Sequence, residues 1–167
     1  MLFRSGSSSQ VNSKSRFYSE REFSGFRDGE RSASIIGYDT KLTERLGVGV
    51  SFERSRLRNI SEVDTNRSAG AVELSWRDKE FLKIISRYEL RYDAGGPNNR
   101  LHWLFRDTVD WKINEDYRFS ARFNRSDTND VTTNHTDGSF TELNMGVAYR
   151  PVRDRKSTRL NSSHRIR

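Results

Sequence analysis

The chain has 167 residues, 32% hydrophobic and 32% charged, with a net charge of +7 and no cysteine. This excludes disulfides and thiolate metal centres, and no apolar run approaches the roughly 20 residues of a membrane-spanning helix. The positive charge sits mostly in the last residues, where Arg153, Arg155, Lys156, Arg159, Arg165 and Arg167 face only Asp154; the body is nearly balanced, so nucleic acid is not an expected partner.

Residues 1–15 are rich in Ser, Gly and Gln and are expected to be disordered or a loop. Their start, MLFRSGSSSQ, has no apolar core of the kind a signal peptide carries. RFYSEREFSGF (16–26) reads as a weak strand, because its apolar residues fall on both faces. From about Ser32 the period is two. In LGVGVSFE, Leu46, Val48, Val50 and Phe52 oppose Gly47, Gly49, Ser51 and Glu53. In FLKIISRYELRY, Leu82, Ile84, Ser86, Tyr88, Leu90 and Tyr92 oppose Lys83, Ile85, Arg87, Glu89 and Arg91. VELSWR, YRFSARFN and ELNMGVAYR repeat the pattern. Strands are predicted at 32–42, 46–56, 68–77, 81–92, 101–113, 117–126 and 139–150. Tight polar turns at 43–45, 78–80 and 114–116 alternate with long polar segments at 57–67, 93–100 and 127–138. All the tight turns then lie at one end of the hairpins.

Alternation alone also describes a half-buried soluble sheet. Three features favour a bilayer. Several predicted strands are longer than the five or six residues usual in soluble sheets and match the ~9–11 that cross a membrane at a tilt. One face carries Glu73, Arg87, Glu89, Arg91, Arg118, Arg122, Glu142 and Arg150, which a dry core would reject and a water-filled lumen would accept. Trp76, Trp111, Tyr117 and Tyr149 lie near the tight turns, and Tyr88, Tyr92, Trp103 and Phe140 lie toward the long loops, as two interfacial girdles would. The expected fold class is all-β: an antiparallel up-and-down transmembrane β-barrel segment of about seven or eight strands, incomplete as it stands. The expected organisation is a barrel segment over 16–152, followed by a non-native or disordered basic tail over 153–167. Asp107 conflicts with this pattern, since it falls on the lipid-facing side. Either a bulge near Phe105–Asp107 turns it inward or a protein contact shelters it.

The repeated LGVGVSFE-like and ELNMGVAYRPV-like strands, with tight turns and polar hairpin loops, resemble Gram-negative outer-membrane β-barrel proteins, in particular the C-terminal barrel segments of large ones. The resemblance covers about Ser32 to Val152. It implies the cell outer membrane, a structural or transport role, insertion by the barrel-assembly machinery, and contact with outer-membrane lipid and lipopolysaccharide. Further strands of the same chain would complete the barrel. No strand ends in the terminal Phe or Trp usual in such proteins, and KSTRLNSSH (156–164) resembles translated sequencing-adapter read-through.

Little chemistry is legible. His102, His135 and His164 share no metal-ligand spacing. Asp127, Asp130 and Asp137 read as a solvated loop. No Gly-rich phosphate loop and no Ser–His–acid set stand out, so neither a cofactor nor an enzymatic activity is expected. The charged face reads first as cross-strand pairs that stiffen a wall, and second as a pore lining. Arg54, Arg56 and Arg58 continue a strand beyond Phe52 toward the outer rim, where they meet lipopolysaccharide phosphates or plain solvent. The competing reading is a soluble antiparallel barrel or sandwich that binds a ligand or polyanion.

Overall fold

The structure, a computed structural model, describes residues 2–26, 29–59, 64–95, 99–150 and 164–166. Nine long strands follow one another: β1 (Leu2–Asn12), β2 (Ser15–Phe26), β3 (Gly29–Lys41), β4 (Leu46–Asn59), β5 (Thr65–Asp78), β6 (Leu82–Ala94), β7 (Arg100–Lys112), β8 (Tyr117–Asp130) and β9 (His135–Tyr149). A three-residue strand, β10 (His164–Ile166), lies against β9. Each strand pairs antiparallel with its sequence neighbour in a single sheet that runs from edge to edge without closing. The fold is all-β and up-and-down, and no helix is long and apolar enough to cross a membrane among the described residues.

The ladders put the period-two pattern into space. Phe17, Tyr38, Val50, Val72, Tyr88 and Phe105 form one unbroken cross-strand row on what we call the outer face. Arg16, Asp39, Gly49, Glu73, Arg87, Arg106, Asn124 and Glu142 form a row on the opposite, inner face. The sheet curls toward the inner face: Arg4 on β1 and Arg87 and Glu89 on β6 line the same cavity, although a flat sheet would hold those strands about 24 Å apart. Small residues make the curl possible. Ala33, Ala69 and Ala71, at 3%, 5% and 9% exposure, are the buried hydrophobic residues among those described, and all lie on the inner face. At Gly37 the tip of the Tyr18 ring lies over the backbone, so that a Cβ there would sit 2.2 Å from Tyr18 Cζ. Ring-over-glycine packing of this kind fills an inner wall without a second layer.

The strands are staggered. The paired row Leu46, Trp76, Ile84, Val109, Ala121 begins at the first residue of β4 and arrives at the fifth residue of β8. Taking the tight turns as one rim, that is about one residue of climb per strand. With a rise of 3.3 Å and a spacing of 4.8 Å it corresponds to a tilt of about 35°, the range in which sheets close into barrels.

Two expectations are corrected. Residues 1–15 are not a loop, because β1 covers Leu2–Asn12 and pairs with β2 along nearly its whole length. Backbone hydrogen bonding carries SGSSSQ, which has no side-chain alternation to announce it. The strand expected at 16–26 is present, as the 12 residues of β2. The polar segment at 127–138 is mostly strand. Residues 127–130 extend β8, residues 135–138 belong to β9, and only residues 131–134 turn between them. Here the ladder continues with polar side chains on both faces, so periodicity vanishes while pairing does not. Of the tail, only His164–Ile166 lies within the described residues.

The turns have chemical causes. Asn114 Oδ1 accepts from the N–H of Asp116 and Tyr117 at 2.9 and 2.8 Å. Thr43 Oγ1 accepts from Arg45 and Leu46 at 3.2 and 2.9 Å. Asp130 Oδ1 accepts from Thr132 and Thr133 at 2.7 and 3.1 Å. Side chains that bond the backbone two and three residues on are the usual closers of hairpin loops.

Candidate functional site

The ions predicted to line one wall do share a face. Glu73, Arg87, Glu89, Arg91, Arg118, Arg122 and Glu142 all stand on the inner face, and Arg150 follows the end of β9. They do not form one cluster. Four make a network: Arg87 lies 3.8 Å from Glu73 and 3.3 Å from Glu89, and Arg91 lies 2.7 Å from Glu89. Glu89 is thus clamped by the arginines two residues before and after it on its own strand, which is the same-face spacing of β structure. Glu142 accepts from Asn124 Nδ2 at 3.1 Å. Arg118, Arg150 and Lys112 line one cavity of about 470 Å³ at the tight-turn end.

Register brings in residues that the sequence did not single out. Arg67 grips both carboxylate oxygens of Asp93, at 2.7 and 2.8 Å, a two-pronged geometry stronger than a single contact. Arg16 pairs with Asp39 at 2.7 Å, Arg31 with Glu53 at 3.1 Å, and Arg4 with Glu20. Across β1 to β6 these ions surround a groove of about 630 Å³ lined by Arg4, Glu20, Asp39, Glu53, Glu73 and Arg87. Nearly every acid has a basic partner on its own or the adjacent strand. Farther along, Arg87 faces Arg106 directly, and Arg106 bonds Asn124 at 3.2 Å.

A second arrangement is Asp93, His102 and Thr128. His102 Nε2 lies 3.3 Å from Asp93 Oδ2, and Nδ1 lies 2.9 Å from Thr128 Oγ1. The order carboxylate, imidazole, hydroxyl is that of a hydrolase relay. The surroundings do not fit one. Asp93 is committed to Arg67 through both oxygens, and the backbone N–H groups of β6, β7 and β8 belong to the ladders, so no pair is free to hold an oxyanion. The cluster is a structural tie among β5, β6, β7 and β8. It was legible only through the register, which sets Arg91 against His102 and His102 against Thr128. No group of His, Cys, Asp or Glu able to hold a metal occurs among the described residues.

The outer face is apolar and uncovered. Tyr88, Leu90, Trp103, Trp111, Met145 and Val147 are exposed, as are most of the large hydrophobic residues of that face. The Tyr117 and Tyr149 rings meet 4.8 Å apart at the tight-turn end. Phe140 departs from the expected girdle: it pairs with Ser126, on the ionic face. Asp107 is on the outer face, opposite Ser86 and Phe123. Both ladders of β7 run through it without a shift, which rules out the bulge. Its Oδ1 is buried without a hydrogen-bond partner. Arg54, Arg56 and Arg58 continue the outer face of β4 beyond Phe52.

Compared with known proteins, the chain matches no family model and no curated protein.

Proposed function

We propose that this chain is part of the wall of an outer-membrane β-barrel with a charged, water-filled lumen, in a structural or transport role. The observation that supports this best is the inversion of the sheet's faces. Paired ions line the concave side, while the convex side carries the large apolar residues with nothing over them. A soluble sandwich would put a second layer there, and a soluble monomer rarely exposes an apolar patch beyond a few hundred Å². The dimensions agree. Leu82 to Tyr92, the apolar run of β6, spans about 33 Å along the strand and about 27 Å at a 35° tilt, against an outward apolar band of about 25 Å in membrane barrels. The pairing of Arg4, Arg16, Arg31, Arg67, Arg87 and Arg91 with carboxylates favours wall stiffening over solute selection. Further strands of the same chain would pair with the open edges, since lipid leaves no N–H or C=O unsatisfied.

The test is to refold the full chain with lipid vesicles and float it on a density gradient. Co-flotation that survives alkaline washing, with a β-type circular dichroism spectrum, is expected. A β-rich protein that stays monodisperse in the aqueous fraction would favour the soluble ligand-binding alternative.

A further inference from the structure

Arginines interrupt the outer face on one side of the sheet. Arg21 on β2, Ser34 on β3 and Arg54 on β4 form one cross-strand row. Phe23, Ser32 and Arg56 form the next row toward the loop end. The two serines are too short to fill the space between their neighbours and leave a notch. The notch is a shallow cavity of about 370 Å³ whose lining includes Arg21, Ser34, Arg54 and Arg56. A second cavity of about 470 Å³ adjoins it, sharing Phe23, Ser32 and Arg56 and adding Phe3 and Arg58. Phe3 and Phe23 are a direct cross-strand pair.

The charge there is not internally neutralised. Asp64 pairs with Arg56 at 2.7 Å and reaches Arg58 at 3.8 Å, and Glu30 stands opposite Arg58. Arg21 and Arg54 have no carboxylate within 4 Å among the described residues. Their Cα atoms lie two strand spacings apart, about 10 Å, a gap that two extended arginine side chains close onto one phosphate from both sides. On the inner face of the same three strands Arg16 and Arg31 each pair with an acid, so Arg21 and Arg54 without acids are a departure within β2 to β4. Directly below the notch are Ile36 and Phe52, both exposed, and beside it are the two phenylalanines. The site therefore offers cationic forks above and apolar surface below.

We infer that Arg21, Arg54 and Arg56, with Ser32 and Ser34 as the floor, bind the phosphorylated headgroup of a lipid whose acyl chains lie along Ile36, Phe52, Phe3 and Phe23. This rests on the membrane reading, and it specifies which part of the outer face meets a phosphate.

The experiment uses the full chain refolded in detergent micelles. Its binding of three probes is measured by titration calorimetry: a bis-phosphorylated acylated glucosamine disaccharide, the same lipid without phosphates, and inorganic phosphate. We expect the phosphorylated lipid to bind at least ten-fold more tightly than either control. In the variant R21Q/R54Q/R56Q that preference should fall about ten-fold, while R118Q/R122Q, on the inner face, keeps it. Because all three substituted residues are exposed, the fold should persist, as circular dichroism reports. If it does not, R54Q alone, with half the Arg21–Arg54 fork removed, should still cost several-fold. Equal binding by the triple variant and the wild type overturns the site. Equal binding of free phosphate and lipid overturns the lipid as its source. A chain that folds but does not enter micelles or vesicles overturns the membrane reading beneath both, which the flotation result distinguishes.

Discussion

A methyl group added at residue 37 would lie 2.2 Å from Cζ of Tyr18, closer than any real contact allows. Gly37→Ala should therefore push the ring off the wall and cost about 1–3 kcal/mol, as overpacking does elsewhere. In a double-mutant cycle with Tyr18→Ala, much of that cost should disappear, because the clash needs both partners; additive effects would mean that the ring does not rest there. Asp107 presents the opposite problem. It faces outward at mid-height on β7 with one oxygen buried and unbonded. In a bilayer, Asp107→Leu should raise resistance to urea unfolding by about 2 kcal/mol, the order of cost of a mid-membrane carboxylate. A loss of stability instead would show that Asp107 engages a partner on that face.

Among the elements, the hairpin joining β8 and β9 is the most exposed to pH. Asp130, 2% exposed, closes it by accepting the N–H groups of Thr132 and Thr133. It lies beyond the apolar belt, at the height of Asp127 and Asn129. Burial alone would raise its carboxyl, but the donated hydrogen bonds from Thr133 and Thr132 outweigh that and hold it below the ordinary range. A carboxylate depressed on folding lends its stability above its unfolded value, about 3.9, and loses it as the pH drops through the lower folded value. Amide exchange at residues 131–135 should therefore quicken on acidification below about pH 4. Asp130→Asn should flatten that dependence, and an unchanged acid response in the variant would assign it to another group. Asp130→Ala should quicken exchange at residues 131–135 already at neutral pH, since the turn loses its acceptor.

For the molecule as a whole, protection should be graded. Strands β5 and β6 are each paired on both sides by long neighbours, whereas β1 pairs with β2 alone among the described residues. Hydrogen exchange on the refolded chain should run slowest in the middle of the sheet and fastest at β1. Uniform protection would mean that the edges are covered, by each other or by a second copy. The same gradient describes what could be read from sequence. LGVGVSFE and FLKIISRYELRY announce their strands because the faces they separate differ in chemistry. β1 was invisible because Ser5, Gly6, Ser7, Ser8 and Ser9 look alike on both faces. The polar extensions of β8 and β9 read as loop for the same reason. The charged face was legible as a face, since alternation assigns it. Its pairings were not, because Arg67 with Asp93, or His102 with Thr128, depends on which residues the ladders place opposite one another.

The unshifted ladders of β3 to β7 have a further consequence for inheritance. A sheet with two unlike faces is decoded two residues at a time, much as a gene is decoded in threes. Deleting Gly70 and Ala71 together would shorten β5 by one pleat and lower its rim, yet leave Val72, Leu74 and Trp76 on the side they occupy now. Deleting Ala71 alone would be a frameshift in space: from that point one arm of the strand would swing Glu73 and Arg77 to the convex side and tuck Leu74 and Trp76 among the ions. Lineages of this chain should accordingly vary in the length of their strands by even steps, and confine odd ones to the turns.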